Sequence, residues 1–494
     1  MTPVIGHELQ SLLTSLLPLL ALLAASAAAL LVHAFMKRRD FLPEAVVAVA
    51  GLGAAVGCAW YLWPGARIVA GLTLVADRLS MMGLAIVGMA ACFVALVSPS
   101  YLLARGETRG GYFSLLLLAT LGMGLLVMSS DLITLLLSIE TMSFALYALA
   151  GFMRDRPQSV EGALKYFIMG AFATAFFCMG IAFLFGSLGS TDLGVMAERS
   201  AYVVSGEGRR VFLFGLAMLV VGLAFKVAAV PFHAWAPDAY DGAPTPVAML
   251  IATAATAAVF IAFLRFSLAI AVPGGAMWHH LSWGLAALTM VWGNLAALKQ
   301  ENLKRMLAYS SIAHAGCMLI AFTLLGEAPV AMARALLAYV LAYTLSTAGA
   351  FAAISAIGLA PGEPVDIRHL SGLSRKKPVL SFVLSLFLLS LAGFPPTLGF
   401  FGKYYLFMSA VGSGEVVLVV IAAAGTVLSF GYYLKPVIAM YFRKMIDAEV
   451  EPAPKVEHAF YAPVIAVLAV VALAVIAFGL FPENLIEMVL ASVQ

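Results

Sequence analysis

The chain has 494 residues, of which 63% are hydrophobic and 11% charged, with a formal net charge of +3. An ordinary soluble domain carries about 25% charged residues, so a wetted globular surface is excluded and bilayer rules govern a multi-pass membrane protein surrounded by lipid. No basic stripe occurs, which excludes nucleic acid as a partner. The four cysteines, Cys58, Cys92, Cys178 and Cys317, stand far apart in apolar stretches and read as small buried residues rather than metal ligands or disulfides; no metal site, cofactor site or iron–sulfur cluster is expected in this chain.

A spanning helix needs about 20 apolar residues. Fourteen are predicted, at approximately 10–35, 44–64, 78–102, 112–129, 131–152, 160–186, 211–231, 245–271, 278–298, 303–324, 330–358, 379–410, 416–441 and 461–481. The first lacks a basic leader and a small-residue cleavage site, so it reads as a spanning helix and not a cleaved signal. The seventh ends near Pro231, and the twelfth is interrupted at "GFPPTLG", Gly393 to Gly399.

With both termini placed outside, the cytoplasmic loops hold Lys37, Arg38, Arg39, Arg105, Arg109, Arg154, Arg156, Lys299, Lys304, Arg305, Arg368, Arg375, Lys376, Lys377, Arg443, Lys444 and Lys455. The opposite side keeps little beyond Arg67, Arg78, Arg199, Arg209 and Arg210. That is the positive-inside bias.

The stretches "EGALKYFIMGAFATAFFCMGIAF" from Glu161 and "MARALLAYVLAYTLSTAGAFAAI" from Met332 share Ala-Leu, a following Tyr, small residues and a Gly. The two proline breaks are separated by a similar offset. The expected fold is therefore all-α and integral to the membrane: peripheral helices 1–3 (residues 1–104), a first five-helix repeat (helices 4–8, 105–275), a second (helices 9–13, 276–445), and a loop with helix 14 (446–494). Five helices per copy force opposite orientations, and inverted repeats with a discontinuous helix in each, here helices 7 and 12, mark transporters.

Few charges remain at depth. Glu140, nine residues into the helix that opens at Asp131, lies about 14 Å in, near the midplane. Arg334 and Arg265 can snorkel outward. Lys165 has Glu161 at i−4. Lys435 precedes Pro436. Lys226 and Lys403 belong to the broken helices and are read as occupying comparable places in the two repeats. A charge at depth costs about 2.5–3.5 kcal/mol or more and is functional by default, although a structural ion pair is the competing explanation for any single one. Proline frees backbone carbonyls that must then meet protein or water, so a break beside a lysine implies a hydrated cavity in which the amine takes or gives a proton as its partner moves. Glu140 is the expected partner of Lys226.

His233 follows the first break, and His314 lies in "YSSIAHAGCM"; for both, proton relay and structural hydrogen bonding stay open. Asp238 and Asp241 are expected in turn or capping roles, and His279 and His280 at the interface. The glycines of "GLGAAVG" at Gly51 suit close helix packing, not a nucleotide.

"LLLSIETMSFALYALAGFMRD", "ALKYFIMGAFATAF", "FKVAAVPFHAWAPDAYDGAPTPV", "NLKRMLAYSSIAHAG" and "LAGFPPTLGFFGKYYLF" together resemble the antiporter-like membrane subunits of proton-pumping NADH–quinone oxidoreductase, respiratory complex I. Their wider family includes multisubunit sodium/proton antiporters. "DAYDGAPTPV" and an end after the fourteenth span, without the long lateral helix of subunit L, make the resemblance strongest to the subunit N group, the bacterial counterpart of mitochondrial subunit 2.

The resemblance implies a bacterial inner-membrane subunit that conducts or gates protons. Its partners would be the antiporter-like subunit M and small membrane subunits; FMN, iron–sulfur clusters and quinone would belong to partner subunits. By the same resemblance Glu140 matches the helix-5 glutamate, Lys226 the helix-7 lysine that pairs with it, Lys165 the helix-6 lysine that modulates the pair, and Lys403 the helix-12 lysine on the exit side. Thr256 stands where the family usually has a lysine or histidine in helix 8. His233, His314 and Lys435 are further relay candidates. A cation/proton antiporter subunit without redox partners is the alternative.

Overall fold

The computed structural model describes residue 10 and residues 12–35, 41–65, 73–107, 109–204, 206, 208–326, 328–358, 366–444 and 461–492. Lys37, Arg38, Arg39, Arg67 and Lys455, whose charges entered the orientation argument, lie outside the described residues, as does most of the loop before helix 14.

Each predicted span is occupied by helix. In chain order these are α1 (Leu17–Phe35), α2 (Leu42–Leu62), α3 (Arg78–Ala104), α4 (Tyr112–Met128), α5 (Leu132–Ala150), α6 (Pro157–Leu188), α7a (Arg209–Lys226) with α7b (Trp235–Gly242), α8 (Thr245–Ile270), α9 (Gly274–Leu298), α10 (Leu303–Thr323), α11 (Pro329–Ile357), α12a (Pro378–Ala392) with α12b (Leu398–Gly412), α13 (Val416–Phe442) and α14 (Tyr461–Leu480). Among the described residues, eleven helices are long and apolar enough to cross a membrane unaided, with α4 and α12a as shorter apolar helices. Two further short helices, Leu193–Val204 and Pro482–Ser492, were not anticipated as elements.

Local chemistry sets where these helices begin. Asp131 caps α5 by accepting from the amides of Ile133 (2.8 Å) and Thr134 (3.1 Å). Asn302 does the same for α10, accepting from Lys304 (2.9 Å) and Arg305 (3.1 Å). Such caps satisfy donors that the helix itself leaves unpaired. Proline opens α2, α6, α11 and α12a, where its missing N–H is no loss.

The core sits around three helices. The apolar stretches of α8 and α11 are 94% buried and that of α10 is 89% buried, against 28–33% for α1, α2, α6, α13 and α14. The buried three carry Thr256, Ser310, His314, Tyr339 and Tyr343, so the polar side chains of the bundle face protein while the outer helices meet lipid. Helix α7a is pressed onto α6 through glycine: a Cβ on Gly180 would stand 2.6 Å from the Leu219 amide nitrogen. That close approach brings α7a's last residue, Lys226, against α5 and α6.

Candidate functional site

Helix α7a ends at Lys226. The backbone then turns away, with Ala228 at a φ of 53°. The amide of Val230, left without a helical acceptor, donates to the Thr289 hydroxyl of α9 at 3.0 Å, and the Trp235 indole donates to the Phe225 carbonyl at 3.0 Å. The break is therefore satisfied by protein groups, as a bilayer interior requires.

The Lys226 ammonium, 9% exposed, donates to the Ser143 hydroxyl at 2.8 Å and lies 3.5 Å from the Tyr147 hydroxyl. Both partners are on α5. Glu140 is three residues before Ser143 on the same helix face, and its carboxylate accepts from the Thr174 hydroxyl of α6 at 2.7 Å. Thr174 and Lys226 line one tightly packed gap between α5, α6 and α7a. The direct Glu140–Lys226 ion pair expected from sequence is thus replaced by an arrangement one helical turn apart. The reason is local: Ser143 and Thr174 offer each charged group a closer hydroxyl.

On the other side of Lys226 is an enclosed space lined by Trp235, Tyr240, Thr256 and Ser311, with room for about one water. Thr256 follows a π-helical turn, Ile251–Ala255, and its hydroxyl donates to the Ile251 carbonyl at 3.0 Å; π turns inside α-helices recur at functional sites. The Tyr343 hydroxyl donates to Ser311 at 2.8 Å. One turn on, His314 bonds the Tyr339 hydroxyl through Nδ1 at 2.7 Å and the Tyr433 hydroxyl through Nε2 at 3.0 Å. Ser310 also bonds Tyr433. A neutral imidazole between two hydroxyls donates on one side and accepts on the other, the arrangement needed to pass a proton.

A second space, again with room for about one water, is lined by His314, Cys317, Asn294, Ser429, Tyr432 and Lys403. Here the second broken helix closes the line. Lys403, 6% exposed, donates to the carbonyls of Leu391 (3.0 Å) and Ala392 (3.1 Å), the last residues of α12a. Gly399 allows α12b to start against α12a, since a Cβ there would fall 1.8 Å from the Ser390 carbonyl oxygen. The lysines do not occupy equivalent places: Lys226 precedes its break, and Lys403 follows its own. Only Lys403 therefore reaches the carbonyls that its break frees, where the negative end of α12a's dipole favours a cation.

The other sequence candidates lie elsewhere. Lys165 pairs with Glu161 (2.7 Å) and Asp238 (2.8 Å), nine residues or about 13 Å along α6 from Thr174, and so does not touch Glu140. Asp238 also takes Arg305 at 2.6 Å, and Asp241 accepts from the Asn302 side chain at 2.8 Å; both tie α7b to α10 rather than capping their own turn. His233 packs edge-on against Trp292 at 5.9 Å, and its Nδ1 meets no partner among the described residues. Lys435 donates to the Leu298 carbonyl at the end of α9, a capping contact. His279 pairs with Glu415 at 2.5 Å. Arg265 reaches the N-terminal end of α3, where it forms a two-pronged pair with Asp77, at 2.8 and 2.7 Å. The tyrosines 240, 339, 343 and 433 escaped the sequence reading, because a tyrosine in an apolar helix carries no signal of its own until a partner helix is known.

No cluster of three His, Cys, Asp or Glu side chains able to hold a metal occurs among the described residues. A bundle with two discontinuous helices, a buried lysine at each break and a polar line between them defines an antiporter-like membrane subunit. Residues 129–429 match the family described as NADH:quinone oxidoreductase/Mrp antiporter, transmembrane. The chain is 42% identical over 389 residues to NADH-quinone oxidoreductase subunit N 1 of Sorangium cellulosum, covering 77% of this chain and 75% of that one. A chain of respiratory complex I from Thermus thermophilus superposes with a TM-score of 0.78 at 34% identity, covering 95% of this chain and 98% of that one. A chain of the Mrp complex from a Dietzia species shares the fold, with a TM-score of 0.81 at 21% identity over 97% of each. The chain belongs to the NADH-quinone oxidoreductase subunit N family.

Proposed function

We propose that this chain is a membrane-arm subunit of a bacterial NADH–quinone oxidoreductase and itself carries protons across the inner membrane. The stations are Glu140, Lys226, Thr256, His314 and Lys403, in that order. Flavin, iron–sulfur and quinone chemistry belongs to partner subunits, among them subunit M and the small membrane subunits. The observation that carries the reading is the line of ionisable and hydroxyl side chains from Lys226 to Lys403 through the most buried helices of the bundle.

Glu140 is partly exposed on the side of the chain where Leu137 (62%) and Phe144 (59%) stand open. A carboxylate facing hydrocarbon is unfavourable, so in the membrane a partner subunit covers this face. Movement of charge in that partner changes how firmly Glu140 holds Lys226 protonated, one turn away. When the hold loosens, the Lys226 proton passes by water, Thr256 and Ser311 to Tyr343 and His314, and then to Lys403. Lys403 releases it outside, and the cytoplasmic side reloads Lys226. Lys165 modulates from a distance through Asp238, while His233 and Lys435 stand beside the route. Both termini face the periplasm, and the halves 105–275 and 276–445 each contribute one break with a buried lysine beside it.

The test is Lys226→Ala and Glu140→Gln in the assembled complex. The expected result is a reduced proton-to-electron ratio in vesicles with electron transfer to quinone retained; a normal ratio in both variants refutes the reading.

A further inference from the structure

At the end of the bundle where α3, α5 and α11 begin, a lateral cavity of about 210 Å³ opens between α11, α12b and the helix Pro482–Ser492. Its lining is mostly apolar: Ala335 and Ala338 of α11, and Ile486, Val489 and Leu490 of the last helix. Three polar side chains enter it, Arg334, Tyr405 and Ser409. On α12b the neighbouring Tyr404 (45%), Met408 (53%) and Val411 (44%) are exposed, so the cavity faces the hydrocarbon side of the protein.

Arg334 is the unexplained group. Its Nε is buried without a hydrogen-bond partner, and no ion pair to it forms among the described residues. The two acids of the last helix, Glu483 and Glu487, are both exposed and do not reach it. A buried donor without an acceptor calls for an occupant. The planar guanidinium fork matches a phosphate through two parallel bonds. The apolar walls beside it do not suit a hydrated inorganic ion; they suit an acyl chain.

We propose that this cavity binds a glycerophospholipid, its phosphate on Arg334 and one acyl chain along Ala335, Ala338 and Val489. The lipid belongs to the leaflet at this end, the outer one in the orientation proposed above. It fills the space between α12b and Pro482–Ser492 and so fastens the second broken helix from outside.

The test uses the intact complex reconstituted with photoreactive phosphatidylglycerol, or with diacylglycerol bearing the same photoreactive chain. The expected result is labelling of this chain within 331–338, 405–409 or 486–490 by the phospholipid and not by diacylglycerol. Arg334→Gln should reduce the phospholipid signal about tenfold, the scale of one lost charged contact, and Arg334→Lys should retain most of it. Equal labelling by the two lipids in the unaltered complex overturns the proposal even if the variants fail to assemble. Suppression of labelling by excess inorganic phosphate also overturns it, since the site would then take a soluble anion.

Discussion

Lys226 is held by Ser143 at 2.8 Å and not by Glu140, which turns to Thr174 at 2.7 Å. Glu140 and Ser143 share one face of α5, and hydroxyls insulate the carboxylate from the Lys226 ammonium that α7a brings against that face. A small displacement of α5 against α7a can therefore bring them together or part them, which a locked ion pair would resist.

Ser143→Ala removes the hydroxyl that keeps the ammonium away from Glu140. A hydrogen bond to a charged group contributes about 1.5–3 kcal/mol, so the expected effect is a tenfold or larger fall in proton pumping, about 1.4 kcal/mol or more in barrier, with normal assembly. NADH-driven acidification of inverted vesicles, normalised to quinone reduction, measures it. Unchanged pumping removes Ser143 from the pathway.

Thr256→Val keeps the shape of the side chain and deletes the hydroxyl facing the Lys226 space. His314→Leu breaks the link between the Tyr339 and Tyr433 hydroxyls. Each is expected to lower pumping about tenfold, on the scale of one lost hydrogen-bonded step, and the double variant should be no worse than the poorer single one, because both interrupt one line. Additive losses in the same vesicle assay would indicate two separate routes.

Lys403→Met leaves the Leu391 and Ala392 carbonyls without their donor. Unsatisfied buried groups cost about 1–3 kcal/mol each, so the α12 break should open more readily as well as losing proton transfer. Hydrogen exchange of the 390–400 segment in the purified complex should accelerate in Lys403→Met and stay near normal in Lys403→Arg. Equal exchange in all three would mean the lysine does not fasten the break.

Asp77 caps α3, accepting from the Ser80 amide at 2.8 Å, and receives both prongs of Arg265. Burial alone would raise its pKa, but Arg265 and Ser80 outweigh burial and hold the carboxyl below its ordinary value of 3.8. A depressed folded value means stability that is present above the unfolded pKa and lost as pH falls through the folded one. Asp77→Asn should therefore lower the apparent melting temperature at pH 7, by about 2 kcal/mol of stability for the charged hydrogen bonds lost. The gap to the unaltered protein should narrow below about pH 4. Melting curves in detergent across pH 3–7 test this, and a gap that stays constant contradicts it.

Hydropathy alone determined the spans, because a bilayer demands an apolar stretch of fixed length whatever lies beside it. It also exposed Glu140, Lys226 and Lys403 as charges where charges are unfavourable, and prolines 231, 395 and 396 as points where a helix must stop. Only the tertiary structure decided which groups these charges meet. Asp77 and Arg265 are 188 positions apart, Lys165 and Asp238 are 73 apart, and His314 and Tyr433 are 119 apart. Such contacts follow from which helix faces are pressed together, as glycine presses α6 on α7a, and a periodicity read along one helix does not contain them. The same packing chose a serine over a glutamate for Lys226: reach and direction across a helix interface, not the sign of the charge, select a partner at hydrogen-bond distance.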